Sequence, residues 1–158
     1  MISEIDFDRI SDTWKTFLWP ERYINGREME RYNLEGKYEY WYAVIKRMSP
    51  DNRLRVLNPK YIGYFEKNRL VGVLSGYKTN YNHYRVRGMW VNIHYRRKGI
   101  ATKMIRYMEN EAKENNCKYI WSIPRESAVE LYMKLGYKNE GKCCNTIYGA
   151  TFYVRKEI

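Results

Sequence analysis

Val91-Asn92-Ile93-His94-Tyr95-Arg96-Arg97-Lys98-Gly99-Ile100-Ala101 is the stretch on which the reading of this chain turns. A β-rich run leads into it, a basic turn interrupts, and Gly99 stands where a helix begins. Past Gly99, the residues Ala101, Met104, Ile105, Met108 and Ala112 recur at helical spacing. Lys103, Arg106, Glu109, Asn110 and Lys113 fall on the opposite, solvent-facing side, and Asn115-Asn116 ends the pattern. The first amides of such a helix lack intrahelical acceptors, and the positive end of its dipole favours an anion. With Gly99 permitting close backbone approach and Arg96, Arg97 and Lys98 adding charge, the segment is a candidate phosphate cradle. A basic turn before a helix is equally the sequence of an exposed loop, so a second signal has to decide.

Working outward, Tyr61–Glu66 and Leu70–Tyr77 are β-rich runs around Lys67-Asn68-Arg69, which predicts an antiparallel hairpin. A third strand is expected from about Tyr84 to Ile93. Near the start, Phe7, Ile10, Trp14, Phe17 and Leu18 predict an amphipathic helix that stops before Pro20. Downstream, Lys118 to Ile123 reads as a strand. Ser127 and Glu130 read as the capping box of a helix that Gly136 closes. Tyr137 to Lys142 and Thr146 to Val154 are two further strands. Hairpins first and helix–strand alternation afterwards give a mixed α/β chain built on a largely antiparallel sheet flanked by helices. Residues 21–59 fit neither period. Their aromatic residues suit one wall of a binding cleft, or a helix with poorly marked ends.

The 158 residues make one domain, 1–158, and 44% hydrophobic residues suffice for a core. No apolar run approaches the roughly 18 residues of a membrane span, and the first residues lack the pattern of a signal peptide, so a soluble cytoplasmic protein is expected. Three cysteines, Cys117, Cys143 and Cys144, argue against a disulfide framework. Together with only His83 and His94 they leave little for a metal site, and none is expected. The 29 Lys and Arg against 18 Asp and Glu leave a charge of +11, which fits nucleic acid, an acidic protein or a phosphorylated small molecule without choosing among them.

The second signal is a pair of motifs. Arg96-x-x-Gly99-x-Ala101 resembles the Arg/Gln-x-x-Gly-x-Gly/Ala turn of the GCN5-related N-acetyltransferase (GNAT) superfamily. Ala128-x-x-Leu131-Tyr132-x-x-x-Gly136-Tyr137 resembles that superfamily's later helix. They stand about thirty residues apart with a strand between, and a paired match in the right order is far more specific than either half. The resemblance runs from Tyr61 to the end. It departs at Arg125, where the family often has Asn, and at Tyr137, where Phe is common in the core; Ala101 in place of Gly is allowed by the motif.

The resemblance implies a GNAT-like acyl-CoA N-acyltransferase fold, its sheet splayed between the strand ending near Val91 and the strand Lys118 to Ile123. Acetyl-CoA is then the acyl-donor cosubstrate, its pantetheine arm pairing with backbone around Trp90, Val91 and Ile93. Its pyrophosphate would rest on Arg96, Arg97, Lys98, Gly99, Ile100, Ala101 and Thr102, and an amide near Val91 would polarise the thioester oxygen as charge develops. Tyr132 is the implied general acid toward the CoA sulfur.

The expected reaction is acetyl transfer to a primary amine of a small molecule or peptide by direct attack. The acceptor is expected between the aromatic segment Tyr23 to Tyr42 and the loop Tyr77 to Tyr84. Glu66, His83 and a water chain are three candidates for the base that deprotonates the amine. The competing reading is a basic nucleic-acid-binding or nucleic-acid-modifying protein, with lysines and arginines on phosphates and tyrosines stacked on bases. A monomer and a homodimer are both compatible with the sequence.

Overall fold

The computed structural model describes residues 1–20, 23–24, 27–28, 56–80, 82–146 and 148–158. Seven strands form one sheet: β1 (Ile2–Glu4), β4 (Leu57–Glu66), β5 (Arg69–Asn80), β6 (His83–Val91), β7 (Tyr119–Ser122), β8 (Lys138–Thr146) and β9 (Gly149–Glu157). Their order across the sheet is β1-β4-β5-β6-β7-β9-β8. A separate two-stranded ribbon pairs β2 (Tyr23–Ile24) with β3 (Arg27–Glu28). Residues 21–22, 25–26 and 29–55, and with them most of the predicted aromatic wall Tyr23 to Tyr42, lie outside the described residues.

The β4–β5 hairpin turns at Lys67-Asn68. Both residues have positive φ (47° and 63°), the conformation that lets a two-residue loop follow the twist of its strands. Every pairing in the large sheet is antiparallel except one. Strands β6 and β7 are parallel and are joined across helix α2 (Ile100–Glu114), because parallel neighbours need a long crossover.

Helices α2 and α3 (Glu126–Lys134) cover one face of the sheet. There Ile100, Met104, Ile105, Met108, Val129 and Tyr132 join Ile62, Leu74, Tyr84 and Ile120 in the main core. The other face carries α1 (Phe7–Thr13) and a smaller core of Ile10, Trp14, Trp19, Val73 and Trp90. Asp6 caps α1 by accepting the Arg9 amide at 2.8 Å.

The amino-terminal helix was expected to hold one period to Leu18. It instead widens at Trp14–Leu18 into a π turn that closes with Trp19 N–H on Trp14 O at 2.7 Å. The wider turn breaks the 3.6-residue stripe, so Ile10 and Trp14 are buried while Phe17 is 59% exposed. Two further expectations are corrected. Helix α3 begins at Glu126 with Arg125 as its N-cap, so Ser127 and Glu130 lie inside the helix and make no capping box. The β8–β9 hairpin turns after Thr146 rather than after Lys142, because bulges at Asn139/Gly141 and Lys142/Cys144 carry β8 onward.

Glu109, placed on the solvent side of α2 by its spacing, is buried. It accepts hydrogen bonds from Arg106 (2.8 Å), Lys156 (3.0 Å) and the Tyr137 hydroxyl (3.1 Å), which tie α2 to the carboxy-terminal strands. The hydroxyl that distinguishes Tyr137 from Phe therefore has a partner of its own. Cys117 and Cys143 are buried, while the side chain of Cys144 lies outside the described residues.

Candidate active site

Strands β6 and β7 pair only at His83↔Tyr119, Tyr84↔Ile120 and Arg85↔Trp121. One side-chain bond, Ser122 Oγ to Val86 O at 2.9 Å, holds the next step. Beyond it the strands diverge, and a cleft of about 1030 Å³ opens between them. The divergence has a local cause in β6. Its register against β5 slips between Val73↔Trp90 and Ser75↔Arg87, so β6 carries one extra residue around Gly88, whose φ is +74°. Such a bulge bends a strand and increases its twist. Ser75 Oγ takes up the displaced Arg87 carbonyl at 2.6 Å.

The register also says which backbone groups face the opening. Asn92 N–H bonds Val71 O at 2.8 Å, making Val71 and Asn92 a hydrogen-bonded pair. Antiparallel pairs alternate, so Val91, opposite Gly72, directs its amide and carbonyl away from β5 toward the cleft. By the same alternation the backbone of Trp90 pairs with Val73, although Trp90 is among the residues that line the cleft. The outward carbonyl of Val91 accepts a 2.9 Å bond from Arg96 Nε. That contact folds the turn back on the strand end and seats the start of α2 at the cleft mouth.

In the turn itself, Arg97 (φ 60°) and Gly99 (φ 80°) adopt left-handed backbone. A Cβ on Gly99 would meet nothing within 4 Å, so the position demands glycine for its dihedral angle and not for space. The first intrahelical bond is Lys103 N–H to Gly99 O at 3.0 Å, which leaves the amides of Ile100, Ala101 and Thr102 without intrahelical acceptors.

Of the residues singled out from the sequence, Trp90, Val91, Arg96, Arg97, Gly99, Ile100, Ala101, Thr102 and Tyr132 all line this cleft. Ile93 and Lys98 do not. Ile93 sits on a 3-10 turn (Ile93–Tyr95), 69% exposed, and the Lys98 ammonium lies 5.3 Å from the Tyr95 ring centre. Tyr132 projects from α3 into the apex of the opening and is 1% exposed. Burial pushes its hydroxyl up to about 12, with the neighbouring Ser122 hydroxyl pulling the other way.

Glu66 and His83 lie outside the cleft lining. His83 is buried at the paired end of β6, stacked on Tyr119 at 4.9 Å, and burial together with the nearby Arg155 charge lowers its pKa to about 4. The described residues of the Tyr77 to Tyr84 connection are likewise at that closed end, and none of them lines the cleft. The wall opposite α2 is built instead by Leu18, Trp19, Arg87, Arg125 and Tyr148. In the sequence Arg125 stood out only as a departure from the family pattern, and the other four gave no signal, because a π turn, a bulge and a hairpin turn bring them together. Among the described residues no group of three His, Cys, Asp or Glu side chains could hold a metal ion.

Residues 13–137 match the profile of the Acetyltransferase (GNAT) family. This chain belongs to the GNAT acetyltransferase family. The acetyltransferase is similar in fold to an aminoglycoside 6'-N-acetyltransferase solved with coenzyme A, at 19% identity and a TM-score of 0.68, with 99% of this chain and 96% of that chain covered. Ard1 from Thermoplasma volcanium gives 15% identity and a TM-score of 0.68, covering 100% and 97% of the two chains. A GNAT family acetyltransferase from Elizabethkingia anophelis with acetyl-CoA bound gives 13% and 0.58, covering 63% and 76%. No helix among the described residues of the acetyltransferase is long and apolar enough to cross a membrane.

Proposed function

We propose that this protein moves an acetyl group from acetyl-CoA to a primary amine of a small molecule or peptide, by direct attack of the amine on the thioester. The observation that carries the reading is one shared edge. The outward Val91 amide and the unbonded amides of Ile100, Ala101 and Thr102 border the same opening, linked by the Arg96 to Val91 contact. Such an edge fits a ligand with a diphosphate at one end and an amide-bearing arm at the other. Solved relatives with coenzyme A or acetyl-CoA bound support the same ligand here.

Acetyl-CoA supplies an activated acyl carbon whose bond to sulfur breaks as the bond to the amine nitrogen forms. The chain's own groups act around that exchange. Ile100, Ala101 and Thr102 amides, with Arg97, hold the phosphates at the dipole-positive end of α2. The Val91 amide donates to the thioester oxygen, where negative charge grows. Tyr132 stays protonated at neutral pH and donates toward the departing sulfur. Handing its proton over completely, from a pKa of about 12 to a thiol of roughly 8.5, is uphill by about 5 kcal/mol. Most of its contribution is therefore the hydrogen bond to the thiolate. The proton lost by the amine leaves through water at the open acceptor side.

Calorimetric titration with acetyl-CoA, followed by thioester consumption in the presence of candidate amines, tests the reading. Heat on binding and amine-dependent release of thiol are expected. A folded protein that binds no acetyl-CoA would overturn it.

A further inference from the structure

Ser122 ends β7 at the point where the sheet parts. Side chains alternate along a strand, so Ser122 shares with Ile120 the face that α3 covers, and its partner on β9 is Val154. Ile120, Val154 and Tyr132 belong to one apolar cluster. Ser122 is 5% exposed and Tyr132 1%, and both line the cleft. A hydroxyl is costly in such surroundings unless it is hydrogen-bonded.

Ser122 has two partners there. Its Oγ donates to Val86 O at 2.9 Å, in place of the ladder bond lost where β6 and β7 diverge. The second is the Tyr132 hydroxyl, through a side-chain hydrogen bond that draws the tyrosine pKa down against the effect of burial. A serine hydroxyl has one proton and two lone pairs, and it turns about its Cβ–Oγ bond. While that proton lies on Val86 O, Ser122 can only accept from Tyr132, and the Tyr132 proton is then spent on Ser122. Turned to the Tyr132 oxygen, the same serine proton leaves the tyrosine proton free to face the cleft. The chain then runs from the Ser122 hydroxyl to the Tyr132 hydroxyl to sulfur, and each donor in such a chain strengthens the next.

We propose that Ser122 is a positioning residue for Tyr132: its hydroxyl turns from the Val86 carbonyl to the Tyr132 oxygen and so directs the Tyr132 proton to the departing sulfur. The inference rests on the reading of Tyr132 as the donor to that sulfur. No proton changes owner in the turn. As the carbon–sulfur bond breaks, its electron pair stays on sulfur. The Tyr132 hydrogen bond meets that charge, and the Ser122 bond behind it strengthens in step. The Tyr132 ring itself need not move. Tyr137 packs edge-on against it, 5.1 Å between ring centres at 81°, and is in turn tied to Glu109 through its hydroxyl at 3.1 Å.

Thiol release from acetyl-CoA, with propylamine, ethanolamine and glycylglycine as acceptors, tests the proposal. With the fastest of the three, Ser122→Ala is expected to lower kcat about 3- to 10-fold while the acetyl-CoA Kd stays within about 2-fold. Ser122→Thr, which keeps the hydroxyl, is expected to recover most of that loss. In the Tyr132→Phe background, Ser122→Ala is expected to change kcat by less than about 2-fold, because the group it serves is gone. Loss of the Val86 bond alone would act alike in both backgrounds. A Ser122→Ala loss of equal size in the two therefore overturns the inference, as does a Ser122→Ala protein with wild-type kcat. Equal turnover of wild type and Tyr132→Phe overturns the role of Tyr132 and this inference together. A wild type that releases no thiol above buffer with any of the three amines overturns the transfer reading as well.

Discussion

Trp14 Nε1 donates a 2.8 Å hydrogen bond to the carbonyl of Gly88, 74 residues away in sequence, at the bulge that opens the sheet. A Cβ built on Gly88 would stand 2.5 Å from the indole, and its φ of +74° disfavours any other residue. The amino-terminal helix thereby braces the bend in β6, and the shape of the cleft depends on a contact made from outside it. Gly88→Ala should lose about 2–5 kcal/mol from left-handed strain and overpacking. Trp14→Phe should lose about 1–3 kcal/mol, because a buried carbonyl is left without its donor. Urea denaturation of the two variants measures both, and an unchanged midpoint for Gly88→Ala would show that the bulge is not held by the indole.

Gly99 separates conformation from space. Alanine there costs about 1–2 kcal/mol for the left-handed backbone although no atom obstructs it, and asparagine, which tolerates that region, costs less. Acetyl-CoA affinity is expected to fall in the order Gly, Asn, Ala, and Gly99→Glu to fall furthest by placing a carboxylate at the cradle. Calorimetric Kd values supply the order. An Ala variant that binds as tightly as the wild type would remove the turn from the site.

Tyr132→Phe should lower kcat by about 10- to 100-fold while acetyl-CoA affinity stays within about 2-fold, since the lost hydroxyl acts on the departing sulfur. With its pKa raised to about 12, wild-type turnover should show no loss from Tyr132 ionisation up to about pH 10. Equal turnover for the two proteins would end the assignment.

Acid stability is expected to fail in two stages. His83 is held neutral by burial, its pKa lowered from 6.5 to about 4. Stability from keeping it uncharged is complete above pH 6.5 and is lost as pH falls toward 4, a change of about 2–3 kcal/mol. Burial alone would raise the Glu109 carboxyl, but hydrogen bonds from Arg106 and Lys156 hold it below its ordinary 4.5. Its contribution is present above that value and disappears at lower pH. Thermal midpoints from pH 7.5 to 3.5 should fall more steeply for wild type than for His83→Phe, which lacks this titration. A constant gap between the two proteins would exclude the histidine.

Much of the site was legible in sequence because its chemistry is backbone chemistry. A strand exit, a glycine and a helix start are written locally, and Arg96, Gly99 and Ala101 in that order need no partner to be read. The hairpin at Lys67-Asn68 and helix α2 were legible for the same reason. Glu109 was misread because Tyr137 and Lys156, which cover it, come from segments distant in sequence. Spacing along a helix tells which residues share a face but not what will later cover it.

By itself the sequence determined most local elements, the basic turn that opens α2 and the family, since each follows from residues close together whose periodicity and turn chemistry act through short-range forces. The family resemblance anticipated that the sheet parts after Val91 and that an amide there meets the gap; only the tertiary structure decided the register and bulge that turn the Val91 amide outward, and that Trp19, Arg87, Arg125 and Tyr148 line the same cleft. Those outcomes depend on strand register, a one-residue bulge and a π turn. Register flips or slips every side chain at once, and its choice rests on contacts between segments that no local pattern records.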